Sequence, residues 1–118
     1  MKSHELALVI YRDTKAFPRE EVFGLTSQMG RSASSIPAYL AEGCGRTQPE
    51  FAHYLQVAFG SANELEYHLL SARDLGFLAA TEYQRNIEGL QEIKKMLSTL
   101  LTKVRLSTMK LQSLNRVV

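Results

Sequence analysis

The 118-residue sequence has no tryptophan, a single cysteine (Cys44), three prolines and no acidic residue after Glu92. One cysteine excludes an internal disulfide and a cysteine-rich zinc site. The longest unbroken apolar run, Leu6 to Tyr11, is too short to cross a bilayer or to serve as a signal-peptide core. A cytoplasmic protein with no membrane partner is therefore expected. No stretch alternates apolar and polar residues between turn signals, so there is no strand signal. Linkers, low-complexity tracts and internal repeats are also absent. What remains is a chain with 45% hydrophobic and 22% charged residues. Such a chain can bury a core without disulfide or metal staples, and its length suits one domain, residues 1–118.

Helical periodicity is the positive signal. Thr47 and Glu50 fit a capping box, with Pro49 in the first turn where a missing N–H costs nothing. Phe51, Leu55, Ala58, Ala62, Leu65, Leu69 and Ala72 follow at alternating spacings of four and three, an a/d seam. Gly76 is a suitable C-terminal stop, so the spacing predicts a helix over 48–75. A second capping box, Thr81 to Gln84, predicts a helix over 82–106 or longer. Its apolar face is Tyr83, Ile87, Leu90, Ile93, Leu97, Leu100, Leu101 and Val104. Val22, Leu25, Met29, Ala33, Ile36 and Leu40 predict a helix over 20–42, kinked by Pro37 because its ring clashes with the Ala33 carbonyl. A short first helix, about 3–15, is closed by Phe17-Pro18. Four helices with short connections predict an all-α, antiparallel up-down-up-down four-helix bundle. Gly60, in mid-helix, is expected to permit close helix approach near the Pro37 kink, since glycine there costs about 1 kcal/mol relative to alanine.

Several residues invite chemical readings. Gln28, Arg31, Ser35 and Glu42 share one stripe of the second helix, and Ser61, Glu64 and His68 one stripe of the third. Together they predict an interhelical polar cluster in which Arg31 pairs with Glu42 or Glu64. The plainest role for it is structural, fixing helix register or a subunit contact. Glu50-x-x-His53 is the only Glu-x-x-His spacing, and one copy cannot supply the paired ligands of a di-metal bundle. No metal and no cofactor are expected. The Gly43-Cys44-Gly45-Arg46-Thr47 stretch lacks the Gly-Lys-Ser/Thr ending of a phosphate loop and follows a helix, so it reads as a turn that needs φ > 0 glycines. Arg46 beside a helix N-terminus leaves an anion site open as a second reading.

Charge is distributed unevenly. Residues 1–93 carry 8 Lys+Arg and 12 Asp+Glu, a net −4; residues 94–118 carry six basic residues and no acid, a net +6. The six are Lys94, Lys95, Lys103, Arg105, Lys110 and Arg116. They complement a helix C-terminus, or they bind nucleic-acid phosphates. With no aromatic among them, base-specific stacking on single strands is not expected.

One longer pattern is shared with a known family. Phe17-Pro18-Arg19-Glu20-Glu21-Val22-Phe23-Gly24-Leu25-Thr26-Ser27-Gln28, Ser35-Ile36-Pro37 with Ala41-Glu42-Gly43, and Gly60-Ser61 with Glu64-Leu65 occur in an order that covers nearly the whole chain. In these the sequence resembles the bacterial four-helix bundle family named for proteins encoded in intervening sequences of 23S ribosomal RNA genes. That family is related in fold to the accessory variability protein of diversity-generating retroelements, which binds nucleic acid and a reverse transcriptase. The resemblance implies a homopentamer and no established catalysis. Relatives usually begin about ten residues earlier with an apolar, tryptophan-containing segment. The first helix is therefore short here and its partners carry an uncovered apolar end, or translation starts upstream of Met1. Tyr39 stands where relatives usually have Asn and Gly30 where they often have Arg, so no polar role carries over to those positions.

The expected function is that of a non-enzymatic homo-oligomer, a pentamer, acting as a nucleic-acid-associated assembly or adaptor protein with RNA or DNA as partner. In such a ring, five copies would bring together about 30 positive charges. The alternative is a bundle that binds a small molecule or a metal through the interhelical polar stripe. Self-association has its own support from apolar residues off the seams: Tyr54, Val57, Phe59, Tyr67 and Leu70, then Leu106, Leu111, Leu114, Val117 and Val118.

Overall fold

The computed structural model describes the backbone of residues 1–117 and the side chains of residues 1–114. Four helices follow one another: α1 (Lys2–Thr14), α2 (Leu25–Gly43), α3 (Gln48–Asp74) and α4 (Ala80–Val117), with a 3-10 turn at Arg19–Glu21. No strand occurs among the described residues. Each helix packs against its two neighbours in a four-cornered ring, α1–α2, α2–α3, α3–α4 and α4–α1. Contacts run in opposite directions along neighbouring helices, which makes the bundle antiparallel. Tyr39 stacks on Tyr54 and Arg31 meets Glu64 across α2–α3. Gln56 meets Arg105 and Glu66 meets Lys94 across α3–α4. Lys2 meets Glu92 and Asp13 meets Arg85 across α1–α4.

The seam of α3 is the spine of the core. Leu55, Ala58, Ala62, Leu65, Leu69 and Ala72 are all fully buried, and Phe51 is partly so. Ala58, Ala62 and Ala72 among the leucines let α3 pack closely on both α2 and α4. Each fully buried leucine contributes about 2 kcal/mol. Met29, Ala33 and Ile36 of α2, Leu6, Ala7 and Ile10 of α1, and Leu90, Ile93, Leu97 and Val104 of α4 complete the core.

Differences from the sequence expectations have local causes. α2 begins at Leu25 rather than near residue 20. The Glu21 carboxylate accepts the Leu25 N–H at 3.1 Å, a cap supplied from the preceding turn. A Cβ at Gly24 would lie 2.9 Å from that carboxylate oxygen, so glycine leaves room for it. Val22, on the expected apolar face, falls outside the helix and is half-exposed. α2 runs unbroken through Pro37, although the ring denies the Ala33 carbonyl its usual donor. α4 starts at Ala80, so Thr81 lies in its first turn and is not the N-cap. The close approach expected at Gly60 does not occur, since a Cβ there would meet nothing within 4 Å. Close approach occurs instead at Gly30, where a Cβ would lie 3.1 Å from the Tyr11 ring, and at Gly43, where it would lie 3.0 Å from the Phe51 and Tyr54 side chains. Gly45 and Gly76, with φ of +80° and +78°, end α2 and α3 as expected.

The molecule measures 61 × 23 × 20 Å. α1 has 13 residues, α3 has 27 and α4 has 38. At 1.5 Å per residue these are about 20, 40 and 57 Å. α4 therefore sets the long dimension and overhangs its neighbours. Among the described residues, Val104 is the last one of α4 that is buried. Among the described residues no helix is long and apolar enough to cross a membrane.

Candidate functional site

Three polar constellations and one apolar opening stand out. The first is the α2–α3 stripe. Arg31 donates to Glu64, and to Gln28 Oε1 at 2.9 Å through Nη2. His68 Nε2 lies 3.3 Å from Glu64 Oε1. Spacing put Gln28 and Arg31 one turn apart on α2 and Glu64 and His68 one turn apart on α3, and antiparallel packing closes the square. Ser35 instead donates to the Arg31 carbonyl at 2.7 Å, while Ser61 is buried between the helices. Glu42 is not part of the cluster. The groups that do meet satisfy one another, an arrangement that holds two helices in register.

Glu42 belongs to a second constellation around the α2–α3 turn. Arg46 donates to Glu42 Oε1 at 2.9 Å and to Glu50 Oε2 at 3.3 Å, and its guanidinium lies 5.2 Å from the Tyr54 ring centroid. Thr47 caps α3, accepting the Glu50 N–H at 3.4 Å and donating to Glu50 Oε1 at 2.8 Å. The Thr47 hydroxyl and then the Arg46 guanidinium hold the Glu50 carboxyl below its ordinary range. Glu50, then Tyr54 and Glu42, raise Arg46. With two carboxylates on it, Arg46 does not support an anion site at this turn. Cys44 is exposed. Among the described residues no cluster of three or more metal-ligating side chains occurs.

The third constellation joins α1 to α4, a contact the charge and apolar patterns do not predict. Asp13, whose side chain is 8% exposed, accepts from Arg85 Nη2 at 2.7 Å and from Asn86 Nδ2 at 3.0 Å. Asn86 is buried, and its Oδ1 has no partner among the described residues. A signal was available: Asn86 is spaced three from Tyr83 and four from Leu90, a polar residue on an apolar face.

The basic residues of α4 divide. Lys94 is largely buried, 3.3 Å from Glu66 Oε2 and 5.6 Å from the Phe59 ring centroid. It braces α3 against α4. Arg105 donates to Gln56 at 2.7 Å but stays exposed. Lys95, Lys103 and Lys110 are exposed and have no ion-pair partner among the described residues. The side chain of Arg116, and the apolar side chains of Val117 and Val118, lie outside the described residues. Beside the lysines, Leu106, Met109, Leu111 and Leu114 are each more than half exposed. So is Tyr67 of α3, and Phe23, before α2, is 95% exposed.

The apolar opening of about 470 Å³ lies where α1 begins, between Leu40 of α2 and residues 93–103 of α4. Met1, Lys2 and Ser3 line it on the α1 side.

The comparisons agree with this architecture. The chain is similar to a crystal structure of a protein with unknown function from the S23 ribosomal protein family, from Bacteroides thetaiotaomicron VPI-5482. The TM-score is 0.76 at 27% identity, over 85% of this chain and 94% of that one. No curated protein matches the chain. The family described as 23S rRNA-intervening sequence protein matches residues 1–99, which takes in α1, α2, α3 and the first half of α4. With that match spanning all four corners of the bundle, the chain belongs to the 23S rRNA-intervening sequence protein family.

Proposed function

We propose that this is a non-enzymatic protein that works in the cytoplasm as a homo-oligomer, a pentamer, and contacts the phosphate backbone of RNA or DNA through α4. The observation that carries the reading is the stretch of α4 from Lys95 to Leu114. It contains no acidic residue, it is exposed past Val104, and it presents cationic and apolar side chains together. Lys95, Lys103, Lys110 and Arg105 supply charge for phosphates, and Leu106, Met109, Leu111 and Leu114 supply surface that a second copy can cover. Phe23 and Tyr67 add apolar surface elsewhere on the molecule. The ring size of five rests on the resemblance alone. The polar stripe, whose charged members satisfy one another, serves here as a structural clamp.

Retention of RNA by the purified full chain, measured across a salt series, tests the nucleic-acid part. Binding at low salt should weaken steeply with added salt, and Lys103→Ala and Lys110→Ala should each flatten the log–log slope by about 0.7–0.9. Absence of RNA binding at low salt overturns it.

A further inference from the structure

A groove of about 260 Å³ runs between α1 and α4. Leu6, Val9 and Ile93 give it an apolar floor, and Gly89 lies midway along its α4 side. Glycine inside a helix is unfavourable relative to alanine. Packing does not demand it here, since a Cβ at 89 would meet only Leu6 Cδ1, at 3.9 Å, an ordinary van der Waals distance. What a side chain at 89 would take up is the space of the groove itself.

The charged groups along the groove are matched except for one. Arg85 is held by Asp13 at 2.7 Å, and Lys2 by Glu92. Glu5 has no ion-pair partner among the described residues. Two cations, Lys2 and Arg85, against three carboxylates, Glu5, Glu92 and Asp13, leave a net charge of −1. Deeper in, Asn86 is 1% exposed, and its Oδ1 has no hydrogen-bond partner among the described residues. Its Nδ2 donates to Asp13, which does not line the groove, so the carbonyl branch of the amide is the one left on the groove side. The two unsatisfied groups, Glu5 and Asn86 Oδ1, are both acceptors. A buried carbonyl without a donor is costly, and a ligand that brings a donor recovers that cost. An anion would find both lining cations already committed, and no cluster of three metal-ligating side chains occurs among the described residues.

The geometry points to a binding site for a primary ammonium compound with a short aliphatic chain. The ammonium donates to Asn86 Oδ1 with Glu5 as its counter-charge, and the chain lies on Leu6, Val9 and Ile93 in the space that Gly89 leaves open. One positive charge neutralises the groove. Its volume is below the range of about 300–1,000 Å³ that suits drug-sized ligands, so the chain has only a few carbons. None of these residues is assigned to phosphate contact, and the inference does not depend on the proposed function.

Titration of the full chain with butylamine at neutral pH, followed by backbone-amide NMR shifts, tests it. The amine is protonated there. Butanol and butyrate carry a similar chain under a neutral and a negative head. Butylamine should give saturable shifts at Glu5, Asn86 and Gly89, with an affinity at least about tenfold tighter than either control. Glu5→Gln, at an exposed position, should weaken butylamine at least about tenfold with an unchanged circular dichroism spectrum. Gly89→Leu keeps a good helix former in α4 and fills the groove, so the saturable shifts should vanish from a chain that is still helical. Equal affinity for butanol overturns the inference in favour of a plain apolar slot, and tighter binding of butyrate in favour of an anion site. Absence of saturable binding shows that the groove holds water alone and overturns it too. So does butylamine affinity that Glu5→Gln leaves unchanged.

Discussion

Asp13 shows how much one side chain can hold. Its carboxylate fixes Arg85 and Asn86, and Asn86 sits inside the core with one end of its amide already unpartnered. Asp13→Ala would leave both ends of a buried amide without a partner, a loss of about 2–3 kcal/mol. Urea denaturation should show that decrease, and a change below about 0.5 kcal/mol would contradict the assigned role. Glu50 makes a smaller, pH-dependent contribution. Its folded carboxyl titrates below the ordinary value of 4.5 because Thr47 and Arg46 stabilise the ionised form. The stabilisation is therefore complete above that ordinary value and disappears as pH falls through the lowered one. Glu50→Gln keeps the capping geometry and removes the charge. The melting temperature of the variant should lie below that of the original chain at neutral pH and converge with it in acid. Of these two sites the cap at Thr47 was legible, because its partners lie three residues apart. The Asp13–Asn86 contact spans 73 residues and involves a neutral amide that no charge-pairing pattern reveals.

At the scale of the helix, legibility followed burial. α3 is covered on both sides, so its period shows in the sequence, and each of Leu55 to Ala72 on the seam is buried. Val22 continues the apolar spacing and so predicts an earlier start for α2, while Glu21 and Gly24 set the true beginning. A carboxylate reaching forward to cap a helix from outside leaves little trace in a hydrophobic pattern. Gly60 does not have the packing role its mid-helix position suggests. Its position on α3 is exposed and open, so Gly60→Ala should stabilise the helix by about 0.5–1 kcal/mol, read in urea. A destabilised variant would show that the open space around residue 60 is filled by a neighbouring copy. The basic stretch of α4 was legible as charge alone. That Lys94 is committed to Glu66, while Lys95, Lys103 and Lys110 are not, depends on which side of the helix meets α3.

The whole molecule presents an acidic body, a cationic final helix and more apolar surface than one thin bundle hides. Phe23 is the clearest single case, since at 95% exposure it contributes almost nothing to its own core. Phe23→Ser should leave the helical spectrum intact and weaken self-association, seen as a shift toward smaller species on dilution. Unchanged assembly would remove Phe23 from the contact. α4 runs about 57 Å and its last turns, from Leu106 to Leu114, expose apolar side chains, which is what the proposed assembly would cover. The direct measurement is the mass of the full chain by light scattering at micromolar concentration. A value about five times the 13.3 kDa of one chain is expected. A stable 13.3 kDa species across that range would contradict it.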